Sequence, residues 1–364
     1  MQKATPILTL RRPTAGARSG HPTIATIAAH MGLSRATITH VLNGRGTEQR
    51  IRPETQKQVL EAARELGYRP NASARAVRAG RFGSVALIQS QLGEYLPPEL
   101  LYGLTTAMAA RDVRLMLTHV PNVDASGENY VAHTMRELAV EGVFVNRHGF
   151  APAPFLDRIL ELRIPAVFLN SRQEFDAVYP DDLAGGALAT EHLLRLGHER
   201  IGYVETAPRR RPHYSEYDRR AGYENAMKDA GRAPRLHLLP IDWRADGEPG
   251  TDARVEAAIR LLEGPERPTA VVAYELTESM AVVRAALTLG LRIPRDLSLI
   301  QFHNRADECC FLPVHTVSNV MREVGEGAVA QLMEKIESPD RPLPSRAIPE
   351  VLLEGETCAR PRRE

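Results

Sequence analysis

The sequence predicts a small all-α head followed by a larger α/β body folded as two lobes. Three observations carry that expectation. Residues 23–66 place apolar side chains at helical spacing, interrupted at Gly32 and again at Gly44, Arg45 and Gly46. From Ser84 onward, short runs rich in Val, Ile and Leu alternate with amphipathic stretches, the pattern of parallel strands joined by helices. The chain has 364 residues, enough for two or three domains.

Charge divides along the same line. Residues 1–82 carry 14 Lys/Arg against 4 Asp/Glu, a balance of +10, and the remainder carries 32 against 41, or −9. A basic head on an acidic body is the electrostatic footprint of nucleic-acid binding, although a solvated basic face gives the same balance. Cys309, Cys310 and Cys358 offer no disulfide framework and no metal-type spacing, so reduced thiols in the cytoplasm, with no metal or cofactor, are expected. No apolar run is long enough to span a membrane, and no membrane partner is expected. The opening MQKATPILTLRRP has only a short apolar stretch ended by Arg11, Arg12 and Pro13, unlike a secretory signal. Residues 1–22 read as a flexible basic arm or an extension without a role.

In the head, Ile24, Ile27, Ala28 and Met31 form one helical stripe. Gly32 ends it, because glycine takes the left-handed conformation at little cost. Ser34 then caps a second helix whose stripe is Ile38, Val41 and Leu42. Two short helices around a glycine turn form a helix-turn-helix, whose second helix reads base edges in the major groove. Its outward positions are Arg35, Ala36, Thr37, Thr39, His40 and Asn43. Arg35 is suited to guanine and Ala36 to a thymine methyl, whereas Ser34, Thr39 and Asn43 suit phosphates. His40 reads equally as a contact or as a solvated side chain. A third helix is expected from Pro53 to Leu66, buried through Val59, Leu60, Ala63 and Leu66. In YRPNASARAVRAGRFG, Asn71 caps a basic helix to about Arg78, too short to stand alone. DNA and a twin helix would order it; a plain linker is the alternative.

In the body, SVALIQS, RLMLTHV, GVFVN and PAVFLN read as strands, with helices around Glu99–Ala110 and Glu128–Val140. A second set follows, with helices Leu183–Leu196, Asp218–Ala230, Ala253–Leu262 and Ser279–Leu289 between strands RIGYVE, LHLLP, AVVAY and LSLIQF. Ligands in such sheets bind beyond the carboxyl ends of the strands, so a cleft between lobes is the expected pocket.

The segments TIATIAAHMGLSRATITHVLNG, IRPETQKQVLEAARELGYRPNASARAVRAGR, VYPDDLAGGALATEHLLRLGHERIGYV, DRRAGYENAMKDAG and LGLRIPRDLSLIQF resemble the LacI/GalR family of bacterial repressors over roughly residues 23–361. The resemblance implies a DNA-binding domain at 23–69, a hinge at 70–82 and a type I periplasmic-binding-protein-like sensor at 83–361. Three crossings near Asp182, Asn319 and Asp340 would give lobe 1 about 83–181 and 320–340, and lobe 2 about 182–318 and 341–361. It implies a homodimer on a palindromic double-stranded DNA operator, with hinge residues Asn71, Arg75 and Val77 at the minor groove. Val77 stands where the family wedges a leucine between base pairs. Arg219 matches the family's effector-binding arginine, and Trp243 falls where an aromatic often stacks on ligand, a core tryptophan being the competing reading. His213, Ser215, Leu96 and Pro97 fall in matching loops. Glu275 and His303 depart from the family pattern; a sugar-like or sugar-acid-like effector is expected, and His303 opposite Arg219 makes the pocket less suited to a neutral sugar and favours a polar, anionic effector such as a sugar acid. No heptad follows Val351–Leu353, so a tetramer built on a coiled coil is not expected. Phosphate-loop and HExxH motifs are absent, Asp181-Asp182 reads as a lobe boundary rather than an acid/base pair, and an enzyme is not expected. A secreted solute-binding protein would fit the body without the head, and a non-specific DNA protein would bind without sequence preference.

Overall fold

The computed structural model describes residues 22–68, 83–90, 96–120, 140–146, 159, 161–206, 213–240, 242–243, 249–250, 252–305 and 312–362. The arm, the hinge with Asn71, Arg75 and Val77, and the helix expected around Glu128–Val140 lie outside them, except for Val140. Contacts divide the chain into two compact units, Met1–Gly80 and Arg81–Glu364.

The first unit holds three helices, α1 (Ile24–Met31), α2 (Arg35–Leu42) and α3 (Pro53–Glu65). Thr23 and Thr26 form a capping box on α1, and Gly32 closes it at φ 65°. Ile27, Ala28, Ile38, Val41, Val59 and Ala63 form the shared core. Leu60, expected in that core, is 44% exposed. Ala62 is buried instead, because α3 presents positions 59, 62 and 63 to its neighbours.

The second unit contains two six-stranded sheets. The first holds β1 (Ser84–Ser90), β2 (Arg114–Val120), β3 (Val143–Asn146), β4 (Ala166–Leu169), β5 (Ala177–Pro180) and β13 (Arg346–Ile348), in the all-parallel order β13-β5-β4-β3-β1-β2. Alternate residues of β1 feed its two faces. Val85 and Leu87 join the core under α4 (Pro98–Ala109) and α9 (Met321–Glu337), and Ala86 and Ile88 join the opposite one. The second sheet holds β6 (Ile201–Thr206), β7 (Arg235–Leu239), β10 (Ala270–Ala273), β11 (Ser298–His303), β12 (His315–Ser318) and β14 (Val351–Leu353), in the order β14-β12-β11-β10-β6-β7. Only β14 runs antiparallel. Helices α5 (Asp182–Leu196) and α6 (Tyr214–Asp229) cover one face, and α7 (Asp252–Glu263) and α8 (Leu276–Thr288) the other. The two-residue strands β8 (Asp242–Trp243) and β9 (Pro249–Gly250) pair with each other.

Helices α6 and α8 each begin a few residues earlier than expected, because His213 and Glu275 stand at their amino caps. The third crossing corrects a sequence expectation. It falls between Ile348 and Val351, not near Asp340, because β13 pairs with β5 and stays in the first lobe. Buried Lys335 of α9 donates to Asp176 Oδ2 and to the Arg341 carbonyl, each at 2.8 Å, and Leu343 N–H donates to Asp176 Oδ1. These bonds keep the turn after α9 on that lobe.

Candidate functional site

In the head, the amino-terminal turn of α2 is the surface suited to a base edge. Ser34 Oγ accepts the Thr37 amide at 3.1 Å, which fixes the helix start. Arg35 and Ala36 are exposed there, and Thr37 and His40 are half-buried. Thr39 donates its hydroxyl to the Arg35 carbonyl at 2.7 Å, so a phosphate contact from Thr39 requires that rotor to turn. Asn43 is exposed at the carboxyl cap, its amide bonded to Thr39 O.

In the body, the three lobe crossings meet at one arginine. Helices α5 and α6 pack closely because Gly186 and Gly222 lack side chains: a Cβ on Gly222 would strike the Leu183 carbonyl, and one on Gly186 the Arg219 carbonyl. That packing holds Arg219, itself buried, at the first crossing. Its Nε donates to Asp182 Oδ1 at 2.5 Å, its Nη1 to the Tyr274 carbonyl at 2.8 Å and its Nη2 to Asn319 Oδ1 at 3.0 Å. The guanidinium lies 4.2 Å from the Phe302 ring centroid and 5.0 Å from that of Tyr274. Asp182 follows the first crossing and Asn319 occupies the second. Glu350 occupies the third, with its carboxylate against Gly185 in the first turn of α5.

Two buried carboxyl groups therefore face one guanidinium. Burial opposes the charge on Arg219, but Asp182 and Glu350 hold its pKa above the ordinary value, so it remains a cation. Burial pushes the Asp182 carboxyl upward despite the arginine. Burial, then the charge of Asp182, push Glu350 well above the usual carboxylate range. Neither Glu350 oxygen has a hydrogen-bond partner among the described residues. Asp181 serves differently from its neighbour: its Oδ1 accepts the Ala184 amide and caps α5.

The expected effector residues divide into those the structure gathers and those it does not. His213 and Ser215 are buried and bonded to each other at 2.8 Å. His213 Nε2 reaches the Asn170 carbonyl of the first lobe at 2.9 Å, and Ser215 Oγ lies 2.8 Å from the Tyr274 hydroxyl. His303 ends β11, and its carbonyl accepts the amide of Asn319, so it adjoins the arginine hub. Glu275 stands half-buried at the amino cap of α8, directly after Tyr274. Leu96 packs in part against the first-lobe core, and Pro97 is buried at the start of α4. For Trp243 only the backbone in β8 is described.

Asp182, Tyr274, Asn170 and Glu350 were missed as site residues, and so was the Arg172–Asp218 ion pair across the lobes at 2.6 Å. The doubled aspartate and the crossing at Asn319 were the available signals. A cavity of about 500 Å³ opens elsewhere in the first lobe, beside Ile164, Phe168, Phe175 and Lys335, and includes none of the expected effector residues.

A helix-turn-helix unit with a separate two-lobed α/β unit defines a DNA-binding transcriptional regulator with a periplasmic-binding-protein-like body. Residues 23–71 match the family described as bacterial regulatory proteins, lacI family, and residues 190–358 match the periplasmic binding protein-like domain. The HTH-type transcriptional repressor PurR of Vibrio vulnificus is 27% identical over 86% of this chain and 92% of its own length. The protein of the same name from Escherichia coli is 28% identical over 86% and 90%. A LacI family regulator from Mycobacterium smegmatis is 28% identical, with TM-score 0.60 over 76% of this chain and all of its own. The Lac repressor dimer bound to operator and an anti-inducer shares the fold at TM-score 0.76 and 20% identity, over 93% of this chain and 100% of that one. The chain is thus similar to LacI-family regulators in its helix-turn-helix and over most of its length, and to periplasmic-binding-protein-like domains in its body. The relatives named here are regulators rather than enzymes. Among the described residues, no helix is long and apolar enough to cross a membrane.

Proposed function

We propose that this regulator is a cytoplasmic repressor that binds a palindromic operator as a homodimer and responds to a small neutral polar effector held between its lobes. The observation that carries the reading is Arg219 bonded to Asp182 and Asn319 at two lobe crossings, with Glu350 at the third. A ligand that displaces any of these partners acts on several crossings together, which couples occupancy to lobe geometry and, through residues 70–82, to operator affinity. The exposed, capped start of α2 supports base reading by Arg35 and Ala36. A dimer on operator is how the Lac repressor was solved, and it fits a two-fold site.

The residues expected at the effector are Leu96, Pro97, His213, Ser215, Arg219, Trp243, Glu275 and His303. Arg219 is already paired with Asp182 at 2.5 Å, which supports a sugar-like molecule over the sugar acid that His303 suggests. The test is selection of random duplexes by the purified protein at near-physiological salt, with and without a metabolite pool. A palindromic consensus is expected, and Arg35→Ala should relax one position in each half-site at a cost of about 1–3 kcal/mol. Selection of no consensus under either condition would overturn the operator reading.

A further inference from the structure

Sequence spacing alone gives no metal site, because His192, His315 and Cys358 lie far apart in the chain. The fold brings them together in the second lobe. His192 projects from α5, His315 opens β12, and Cys358 lies beyond β14. One nitrogen of each imidazole and the Cys358 sulfur lie within 4.8 Å of one another. The two rings have centroids 5.3 Å apart and are inclined at 46°. His192 Nε2 is buried without a hydrogen-bond partner among the described residues, an arrangement that proteins generally avoid.

We propose that His192, His315 and Cys358 form a binding site for one zinc ion, separate from the arginine hub. Two imidazoles and a thiolate are a ligand set for borderline and soft transition metals, not for calcium or magnesium. Zinc bonds near 2.0–2.1 Å to nitrogen and 2.3 Å to sulfur place tetrahedral ligand atoms about 3.3–3.6 Å apart. From a spacing of up to 4.8 Å, that geometry requires each ligand atom to move inward by about an ångström.

Surrounding bonds hold the frame. His315 N–H donates to Thr357 Oγ1 at 2.8 Å, Thr357 Oγ1 donates to the Leu299 carbonyl at 2.6 Å, and Thr357 N–H donates to His315 Nδ1 at 3.2 Å. Cys358 is thereby fixed beside His315. Glu354 is exposed, and its negative charge acts on both imidazoles. Its carboxylate is not among the clustered ligand atoms, so the fourth position falls to water. Burial holds the Cys358 thiol protonated, with its S–H directed at the Leu299 carbonyl. On binding, the Cys358 S–H bond breaks, a Zn–S bond forms and one proton passes to the buffer, while His315 gives up the Thr357 N–H bond at Nδ1, either to ligate through Nδ1 or to take the ring proton there and ligate through Nε2.

The test uses the full-length chain without a histidine tag. Titration with Co²⁺ should give a near-ultraviolet thiolate-to-cobalt band that saturates at one ion per chain, and Zn²⁺ should abolish it. The band should persist in a Cys309→Ser/Cys310→Ser protein and disappear in Cys358→Ser. His192 is half-buried and its Nε2 has no partner, so His192→Gln should keep the fold, checked by circular dichroism, while weakening binding at least tenfold. Zn²⁺ should raise the Tm of the wild type but not of Cys358→Ser. The proposal is overturned by the absence of a band, by a band that survives Cys358→Ser, or by His192→Gln binding as tightly as wild type. If Cys358→Ser does not fold, His192→Gln decides the outcome.

Discussion

Replacing Arg219 with methionine keeps most of the side-chain volume and removes the charge and all three hydrogen bonds. Asp182 then stands buried and unpaired, and the Tyr274 carbonyl and Asn319 amide oxygen lose a donor. Breaking a buried ion pair from one side costs about 3–5 kcal/mol. For a domain of this size, each kcal/mol shifts Tm by roughly 2–4 °C, so a fall of about 10 °C is expected. Asp182→Leu/Arg219→Met removes both partners and should recover most of that loss, giving a coupling of about 3 kcal/mol. Acid should also help the single variant. Without the guanidinium, Asp182 is pushed further above its ordinary value, so the folded state binds more protons than the unfolded one and gains stability as pH falls. The assay is urea denaturation by circular dichroism at pH 5.5 and 7.5 for the two singles, the double and the wild type. Additive losses, with coupling under about 0.5 kcal/mol, would refute the view that the pair acts as a unit.

Three further outcomes follow from the same geometry. Ser34→Ala removes the cap on α2 and should destabilise the head by about 0.5–2 kcal/mol, read as a shift of its own thermal transition; an unchanged transition would mean the cap is idle. Glu350 has its folded-state pKa raised, so between its ordinary value and the folded one the native protein holds the extra proton, and stability falls as pH rises through that window. Glu350→Gln should therefore be more stable than wild type at pH 8 and show a flatter Tm profile from pH 5 to 8; a profile parallel to wild type would exclude the effect. Gly222→Ala drives a methyl into the Leu183 carbonyl, forces α5 and α6 apart and should cost about 1–3 kcal/mol, checked by calorimetry against Gly231→Ala, which has open space but a strained φ of +67°.

The head was almost fully legible, because periodicity and caps are local. Thr23, Gly32 and Ser34 mark their boundaries directly, and only the phase of α3 around Leu60 escaped. Strands buried on both faces, such as Val143–Asn146 and Ala270–Ala273, were also visible as continuous apolar runs. The edge strand β13 was not, since Arg346, Ala347 and Ile348 are exposed or half-buried and lack an apolar pattern. That omission displaced the third crossing and hid Glu350. Arg219 could be found from its neighbours in sequence, but its partners lie 37, 55 and 100 residues away, and no local rule joins them.

The return of the chain to both lobes also constrains how the protein can be made. The first sheet is complete only when Ser345 accepts the Ala177 amide, across 168 residues, and β13 closes beside β5. By then the ribosome has already produced every helix of the second lobe. That lobe in turn waits for β14 and for Ala359, whose carbonyl accepts from Ser298 and meets the His198 ring at 2.8 Å. Among the described residues, the head's core, by contrast, closes within residues 23–68. During synthesis the core of the head can therefore close first, ahead of a body whose two sheets are completed only by its last segments.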